Sequence, residues 1–489
     1  MKSRIKTYLP LLVLCFALDT QAQNWEQVGT LMEVNREARA LYVDTANDYL
    51  YVGGQFFKMK GQRPVGTFSL LRIKNGKEEV LDSVYNNTVY TIYPYKGDIY
   101  IGGDFEVVGG TSITDSSGVK TTGGKTSYHL ARLHNDTFET VNPHKRDPWV
   151  RALTEYNGNL IVGGIFSSFG GIQSHGVVAY NGTSFLPLDG GIMQEDTIAQ
   201  VRSLYSYQGR LFAGGNFYAE KPRNTIDWRT RNLQMYDAQQ WHRVGGWKSE
   251  TRIGEVFTME VYKNELYMAG YFQEKEGDLA NSIIKYDGTY FYKLGEGIQD
   301  YTVLNMRVHK NELFVCGAFY YADNVPADNI AKWDGTRWCS LSNDVFNNTI
   351  FDMETYRDSL YILFGGDTIS GKRVAALAKW VGDSSMEDSC APPAEIKKVN
   401  YNLGFSQQQL TEFKFNVYPN PVSDRLVVEK LKNAGVFNYS LLDVNGKEIG
   451  SGILTKSRTE IDVSKANTGL YFIRIYNKHE TTTRKIMKE

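Results

Sequence analysis

The chain has 489 residues, with 54 basic and 55 acidic side chains, so no strong electrostatic pull toward nucleic acid is expected. Its 46 glycines, 32 tyrosines and 24 phenylalanines are the residues that strands and tight turns draw on. Apart from one short apolar run near the start, no stretch approaches the length that spans a bilayer, so no membrane span is expected.

Residues 1–22 read as a secretory signal. Lys2, Arg4 and Lys6 form a basic beginning, Tyr8 to Leu18 an apolar core, and Thr20-Gln21-Ala22 a small-residue cleavage site before Gln23. Cys15 opens a lipoprotein alternative, which Leu14 opposes because a small residue is needed just before a lipidated cysteine.

From Leu50 the chain repeats itself. Leu50-Tyr51-Val52-Gly53-Gly54-Gln55-Phe56 returns as IYIGGDF ending at Phe105, LIVGGIF at Phe166, LFAGGNF at Phe217, LYMAGYF at Phe272 and LFVCGAF at Phe319. LYILFGG, ending at Gly366, is a worn seventh copy. A period near 50 residues repeated this often signals an array of small supersecondary units. Each copy is preceded by a short turn and followed by a second hairpin, as in VVAYNGTSFLPL from 177, IIKYDGTYFYKL from 283 and IAKWDGTRWCSL from 330. Alternating apolar residues joined by Asn-Gly or Asp-Gly predict tight hairpins, so one repeat is four short antiparallel strands. The expected fold is all-β, a seven-bladed β-propeller over 23–383. The diglycine after an apolar strand, followed by spaced Tyr and Trp, resembles the kelch motif, and this resemblance implies kelch-like four-stranded blades over about residues 24 to 383.

The seventh repeat ends near Asp383 without an aromatic fourth strand, and the missing piece lies at the other end of the array. Asn24-Trp25-Glu26-Gln27-Val28-Gly29 matches the fourth-strand pattern of Gln240-Trp241-His242-Arg243-Val244-Gly245, so the N-terminal strand is expected to close the last blade. Cys316 stands in place of a repeat glycine and reads as a small core residue. Cys339 and Cys390 are free to pair if the chain is exported, and the sequence leaves that open.

Residues 384–412 read as a linker, with Pro392-Pro393 and a polar Ser406-Gln407-Gln408-Gln409 run. From 413 to 489 short alternating strands separated by Asn-Gly, Gly-Ser-Gly and Thr-Gly turns predict an immunoglobulin-like β-sandwich. Here Tyr418-Pro419-Asn420-Pro421, the Asn445-Gly446-Lys447 turn, Gly469-Leu470-Tyr471 and the basic ending with Lys485 resemble the type A C-terminal sorting domain of the type IX secretion system of Bacteroidota. The resemblance implies recognition by the outer-membrane translocon, removal by a sortase-like peptidase, and a secreted or surface-attached product. An ordinary immunoglobulin-like binding module is the alternative.

For the repeat array, no short metal-ligand spacing occurs among the seven histidines, and no metal or cofactor is expected. Asp287, Asp334 and Asn181 lie in hairpin turns and read as turn formers. The long insertions, at 107–127, 218–231, 142–150, 190–200 and 246–254, all belong to loops that emerge on one face. On that face Trp149 with Arg146 and Asp147, Trp228 with Asp227 and Arg229, and Trp247 make a candidate binding surface for a glycan or a protein. A hydrolase or lyase acting on polysaccharide through Asp147, Glu195 or Asp227 is the second reading, and a structural or adhesive surface protein the third.

Overall fold

A computed structural model describes residues 24–29, 34–60, 63–83, 87–115, 118–145, 149–192, 199–218, 231–238, 240–244, 254–272, 281–299, 302–341, 344–374, 376–382, 389–399, 415–418, 422–430, 436–443, 447–477 and 481–488. The signal reading at 1–22 lies outside them. Every regular element among the described residues is a β-strand.

Seven antiparallel sheets follow one another, each with its first strand at one edge and the later strands stacked outward in chain order. The first holds Val34–Asp44, Tyr49–Lys60, Arg63–Lys74 and Lys77–Asp82; the second Thr88–Tyr95, Asp98–Asp104, Leu130–His134 and Thr137–Thr140. The third holds Val150–Tyr156, Asn159–Gly164, Val177–Tyr180 and Phe185–Leu186; the fourth Gln200–Tyr207, Arg210–Tyr218, Arg231–Tyr236 and Trp241–Arg243. The fifth holds Glu255–Tyr262, Glu265–Tyr271, Ile283–Tyr286 and Phe291–Leu294; the sixth Thr302–His309, Glu312–Ala318, Ile330–Trp333 and Trp338–Ser340. The seventh takes Ile350–Tyr356, Ser359–Phe364 and Leu377–Trp380 from its own repeat and Trp25–Gln27 from the N-terminal end. Two-residue turns between the first and second strands put both residues at positive φ, as at Asn157 and Gly158 or Lys263 and Asn264, and this turn matches the twist of a hairpin. Asp287, Asp334 and Asn181 behave as turn formers: the Asp287 carboxylate accepts from the Thr289 and Tyr290 amides at 2.7 Å each.

Apolar clusters fill the space between each sheet and the next, and the one built on Leu41, Val52, Tyr356 and Leu363 lies between the seventh and the first. First strands pack side by side in the same order, with Ile350–Tyr356 against Val34–Asp44. A tyrosine at the end of the first strand ties its sheet to the next one's turn. Tyr95 donates to the Gly158 carbonyl, Tyr156 to Gly209, Tyr207 to Asn264 and Tyr262 to Asn311, and Tyr356 of the seventh sheet donates to Asp48 of the first. His309 replaces this tyrosine in the sixth sheet and meets Thr355 Oγ1 at 3.1 Å.

A buried carboxylate crosses the same seam. Asp352 Oδ2 accepts from the Leu41 amide at 2.6 Å, and Oδ1 from the Met353 amide. Burial drives the Asp352 carboxyl up from the ordinary 3.8 to about 7, against the pull of Arg307 and of these amides. Because its folded pKa is raised, the folded state holds the proton that the unfolded chain loses above 3.8. The stability this contributes is therefore full below that pH and is lost as pH rises toward 7. Between pH 5 and 8 the wild-type chain is expected to lose roughly 3 kcal/mol relative to Asp352→Asn, which cannot ionise, as read from paired denaturant titrations. A constant difference across that range would remove Asp352 as the source.

Three features go beyond the expectations from sequence. The insertion at 107–127 is a regular hairpin, Val107–Asp115 with Gly118–Thr126, whose Gly and Thr content disguises strands as loop. Within the stretch read as linker, Ile396–Val399 adds a fifth strand to Phe291–Leu294; two apolar residues around two lysines make too short an alternation to stand out. Cys339 and Cys390 are joined by a disulfide, and Cys316 is free and fully buried, as a core residue should be.

At the C-terminal end one sheet holds Phe415–Tyr418, Arg425–Lys430 and Arg458–Asp462, and another Phe437–Asp443, Glu448–Leu454, Gly469–Tyr476 and Thr481–Lys488. Phe415, Leu426 and Val428 of the first share a core with Leu441, Ile473 and Ile486 of the second.

Candidate functional site

The repeated glycines shape the edge where the seven first strands meet. In five repeats the second position of the pair is a glycine packed against the backbone carbonyl at the start of a first strand, and a side chain there would strike backbone. A Cβ on Gly103 would stand 2.1 Å from the Thr88 carbonyl oxygen, and one on Gly215 2.0 Å from that of Gln200. This close approach accompanies a β-bulge, one extra residue in the first strand just past the contact. The bulge recurs in all seven sheets, and the seventh keeps it with Phe364 in the glycine's place.

The seven bulge residues are Arg39, Tyr90, Arg151, Arg202, Phe257, Leu304 and Phe351. All are half-buried. They share one level on neighbouring strands, and in the second to seventh sheets this level is close to where the first strand begins, toward the face on which the long crossovers arrive. Each of the three arginines at this level lies near an aromatic ring. The Arg151 guanidinium carbon lies 3.6 Å from the Tyr90 ring centre and 4.8 Å from that of Trp149, and Arg39 lies 4.8 Å from Phe351. Arg202 stands 5.8 Å from Phe257, within 3.5 Å of Glu255, and donates to Gln200 at 3.2 Å. Such contacts hold a guanidinium by its flat face.

Three residues further along the same strands runs a second polar level. Tyr205 donates to Glu260 at 3.1 Å, and Arg307 donates to Glu260 at 3.2 Å and to Glu354 at 2.9 Å. Burial works against the Arg307 charge, but Glu354, Asp352 and Glu260 outweigh it and hold the guanidinium firmly protonated. Burial, and then the Glu260 charge, push the Tyr205 hydroxyl far up, and burial pushes Tyr42 to about 12. Glu260 and Glu354 are brought together, but with an arginine between them. That arrangement balances charge rather than setting one carboxyl up as an acid and the other as a base.

Of the residues singled out from sequence, Trp149 is brought into this site: half-buried, at φ 74°, its carbonyl accepting from the Ile165 amide, its ring under Arg151. Arg146, Asp147, Glu195, Asp227, Trp228, Arg229 and Trp247 lie outside the described residues. Trp338 is fully buried, whereas Trp241 is half-buried and donates through its indole nitrogen to the Leu188 carbonyl. Arg39, Arg151 and Arg202 went unseen because strand alternation treats them as ordinary polar positions. Aligning the repeats on the first strand rather than on the diglycine puts them in one column. Among the described residues no three His, Cys, Asp or Glu side chains stand close enough together to hold a metal ion.

In the C-terminal sheets, Tyr418 ends a strand, Gly469, Leu470 and Tyr471 begin one, and Lys485 pairs with Phe472; Tyr471 donates to the Asn467 carbonyl at 2.9 Å. Pro419, Asn420, Pro421 and Gly446 lie outside the described residues.

Comparison with known proteins identifies this last part. Residues 416–489 match the secretion system C-terminal sorting domain, the kind of tail that directs a chain to the cell surface or to secretion. No curated protein matches the chain. Among solved structures it is similar to PorZ, a surface component of the type-IX secretion system of Porphyromonas gingivalis, at 11% identity over 92% of this chain and 70% of that one, with a TM-score of 0.33. It is also similar to the extracellular domain of the two-component system protein BT4673 of B. thetaiotaomicron, at 12% identity over 92% and 74%, with a TM-score of 0.21. Likenesses this loose carry no activity across. No helix among the described residues is long and apolar enough to cross a membrane.

Proposed function

We propose that the chain is a secreted or surface-displayed binding protein, a seven-bladed, kelch-like β-propeller that holds a glycan or protein ligand without turning it over. The circular order of the sheets and the N-terminal strand in the seventh support the propeller. The sorting tail supports passage through the type IX translocon, followed by removal of the tail by a sortase-like peptidase. The observation that carries the binding reading is the bulge level. A ring of first strands can be closed with apolar or small residues at every one of these positions, yet this chain places three arginines there, against aromatic faces.

The test is a screen of the full chain against glycan and surface-protein arrays, repeated with Arg151→Gln. Wild-type binding to some class that weakens by roughly tenfold or more in the variant, with an unchanged melting temperature, is the expected result. Binding unaffected by the variant would move the site elsewhere, and turnover of a bound glycan would replace this reading with the hydrolase one.

A further inference from the structure

We infer that the sixth sheet carries a platform for a neutral sugar ring on the face where the long crossovers arrive, an inference that rests on the binding reading above and adds a second contact to it. The connection between the second and third strands of that sheet folds as a small hairpin, Tyr321–Ala322 with Val325–Pro326, and Ile298–Gln299 of the incoming crossover adds a third strand. Asp323 and Asn324, both at positive φ, make its tight turn. Directly paired residues share a face, so Ile298, Ala322 and Val325 lie on one side and Gln299, Tyr321 and Pro326 on the other. The first three are 0%, 0% and 7% exposed and anchor the platform. Tyr321 is 42% exposed, Pro326 is exposed, and the neighbouring Tyr320 is 57% exposed.

The other repeats show that the fold does not require these rings. The third and seventh sheets build the same hairpin, Ser168–Phe169 with Ile172–Gln173 and Thr368–Ile369 with Lys372–Arg373. Phe169 and Ile369 are buried there as Ala322 is, while the positions of Tyr320 and Tyr321 hold Ser167 and Ser168 in one and Asp367 and Thr368 in the other. No hydrogen bond or ring contact occupies the Tyr321 side chain among the described residues. A phenol offers its electron-rich face to the C–H edge of a sugar, the attraction that also sets one aromatic ring edge-on against another. At the other end of the row the Gln299 amide donates to Asn324 Oδ1 at 3.1 Å and accepts from the Asn324 backbone amide at 3.0 Å. It is thereby held in place, and a primary amide brings a second N–H for a sugar hydroxyl. None of the three outward residues is charged, which favours a neutral ring. Extended peptides pair with strand edges, whereas this row lies across the face of a sheet, where the backbone groups already bond within the sheet.

The experiment titrates the full chain with cellohexaose, xylohexaose and a proline decamer, and repeats each titration with Tyr321→Ser, the residue type that the third sheet carries at this position. Expected is binding of at least one hexasaccharide, about tenfold weaker in Tyr321→Ser at an unchanged melting temperature and nearly intact in Tyr321→Phe, which keeps the ring. Equal binding by wild type and Tyr321→Ser would overturn the platform and leave the binding reading standing. Binding of the proline decamer alone, dependent on Tyr321, would overturn the sugar class. Failure of both hexasaccharides would overturn the inference, and together with empty glycan and protein arrays the binding reading as well. A loss in Tyr321→Ser with none in Arg151→Gln would uphold the platform and take the bulge level out of the ligand's path. If Tyr321→Ser fails to fold, as judged by its melting curve, the wild-type chain decides. Nitration of the peptide carrying Tyr320 and Tyr321 by tetranitromethane should slow when the bound hexasaccharide is added, and an unchanged rate would overturn the platform.

Discussion

Deleting residues 24–28 is expected to unfold the repeat array at temperatures where the intact chain is stable, and Trp25→Ala alone to cost about 3–5 kcal/mol. The segment is a strand of the seventh sheet, not a trailing end. Trp25 pairs with Trp380, Glu26 with Lys379 and Gln27 with Ala378. The Val28 amide donates to the Leu377 carbonyl at 3.0 Å and the Val381 amide to the Asn24 carbonyl at 2.8 Å. Trp25 is 0% exposed and meets Phe346 and Trp380 edge-on, with ring centres 5.8 and 5.0 Å apart. Asn24 reaches Asp344 at 2.9 Å, some 320 residues away in sequence. Deletion removes all of this and bares the edge of Leu377–Trp380, which invites pairing between chains. Trp25→Phe should be far milder, because the Trp25 indole N–H has no hydrogen-bond partner among the described residues. Chemical denaturation of the three variants, with light scattering to detect association, checks the order deletion, Trp25→Ala, Trp25→Phe. Equal stability of the deletion and the parent would mean that the seventh sheet stands on three strands.

Loss of the Cys339–Cys390 disulfide is expected to cost roughly 2–4 kcal/mol and to act locally first. The bridge spans 51 residues of sequence, a loop whose closure constrains the unfolded chain appreciably. It also fixes a strap in the folded protein. Ser340 donates to the Ser389 carbonyl, Ala391 to Trp338 and Ala394 to Thr336, after which Ile396–Val399 runs along Phe291–Leu294. Residues 389–399 thus cover the outer edges of two neighbouring sheets, the sixth and the fifth. In Cys339→Ser/Cys390→Ser, amide exchange should rise first in 389–399 and in the outer strands they cover, before the first strands are affected. Exchange rates unchanged in that strap would show that the hydrogen bonds alone hold it.

Much of the fold was legible because the repeats state it seven times over. The apolar strand with its diglycine, the Asn-Gly and Asp-Gly turns and the Trp25 pattern borrowed from Trp241 each have a local physical cause. The bulge level was not, because a bulge is a backbone irregularity: it moves Arg39, Arg151 and Arg202 to a shared level without any change in composition that alternation would register. The tyrosine ties escaped for a related reason. Tyr95, Tyr156, Tyr207, Tyr262 and Tyr356 read as core aromatics, and only the arrangement of neighbouring sheets shows each hydroxyl reaching the next sheet's turn. Trp149 was noticed as an off-pattern residue in a loop. Its role is as a face for Arg151, two residues on, which composition could not distinguish from an exposed ring.

The central claim, that ligand is held where the first strands bulge, is tested most directly by hydrogen–deuterium exchange of the full chain with and without the glycan or surface protein that it retains on the arrays. Slower exchange is predicted in peptides covering 38–42, 149–154 and 200–205, with little change in the outer strands of the same sheets. Slowing confined to the crossover and insertion loops, with those three segments unmoved, would contradict it.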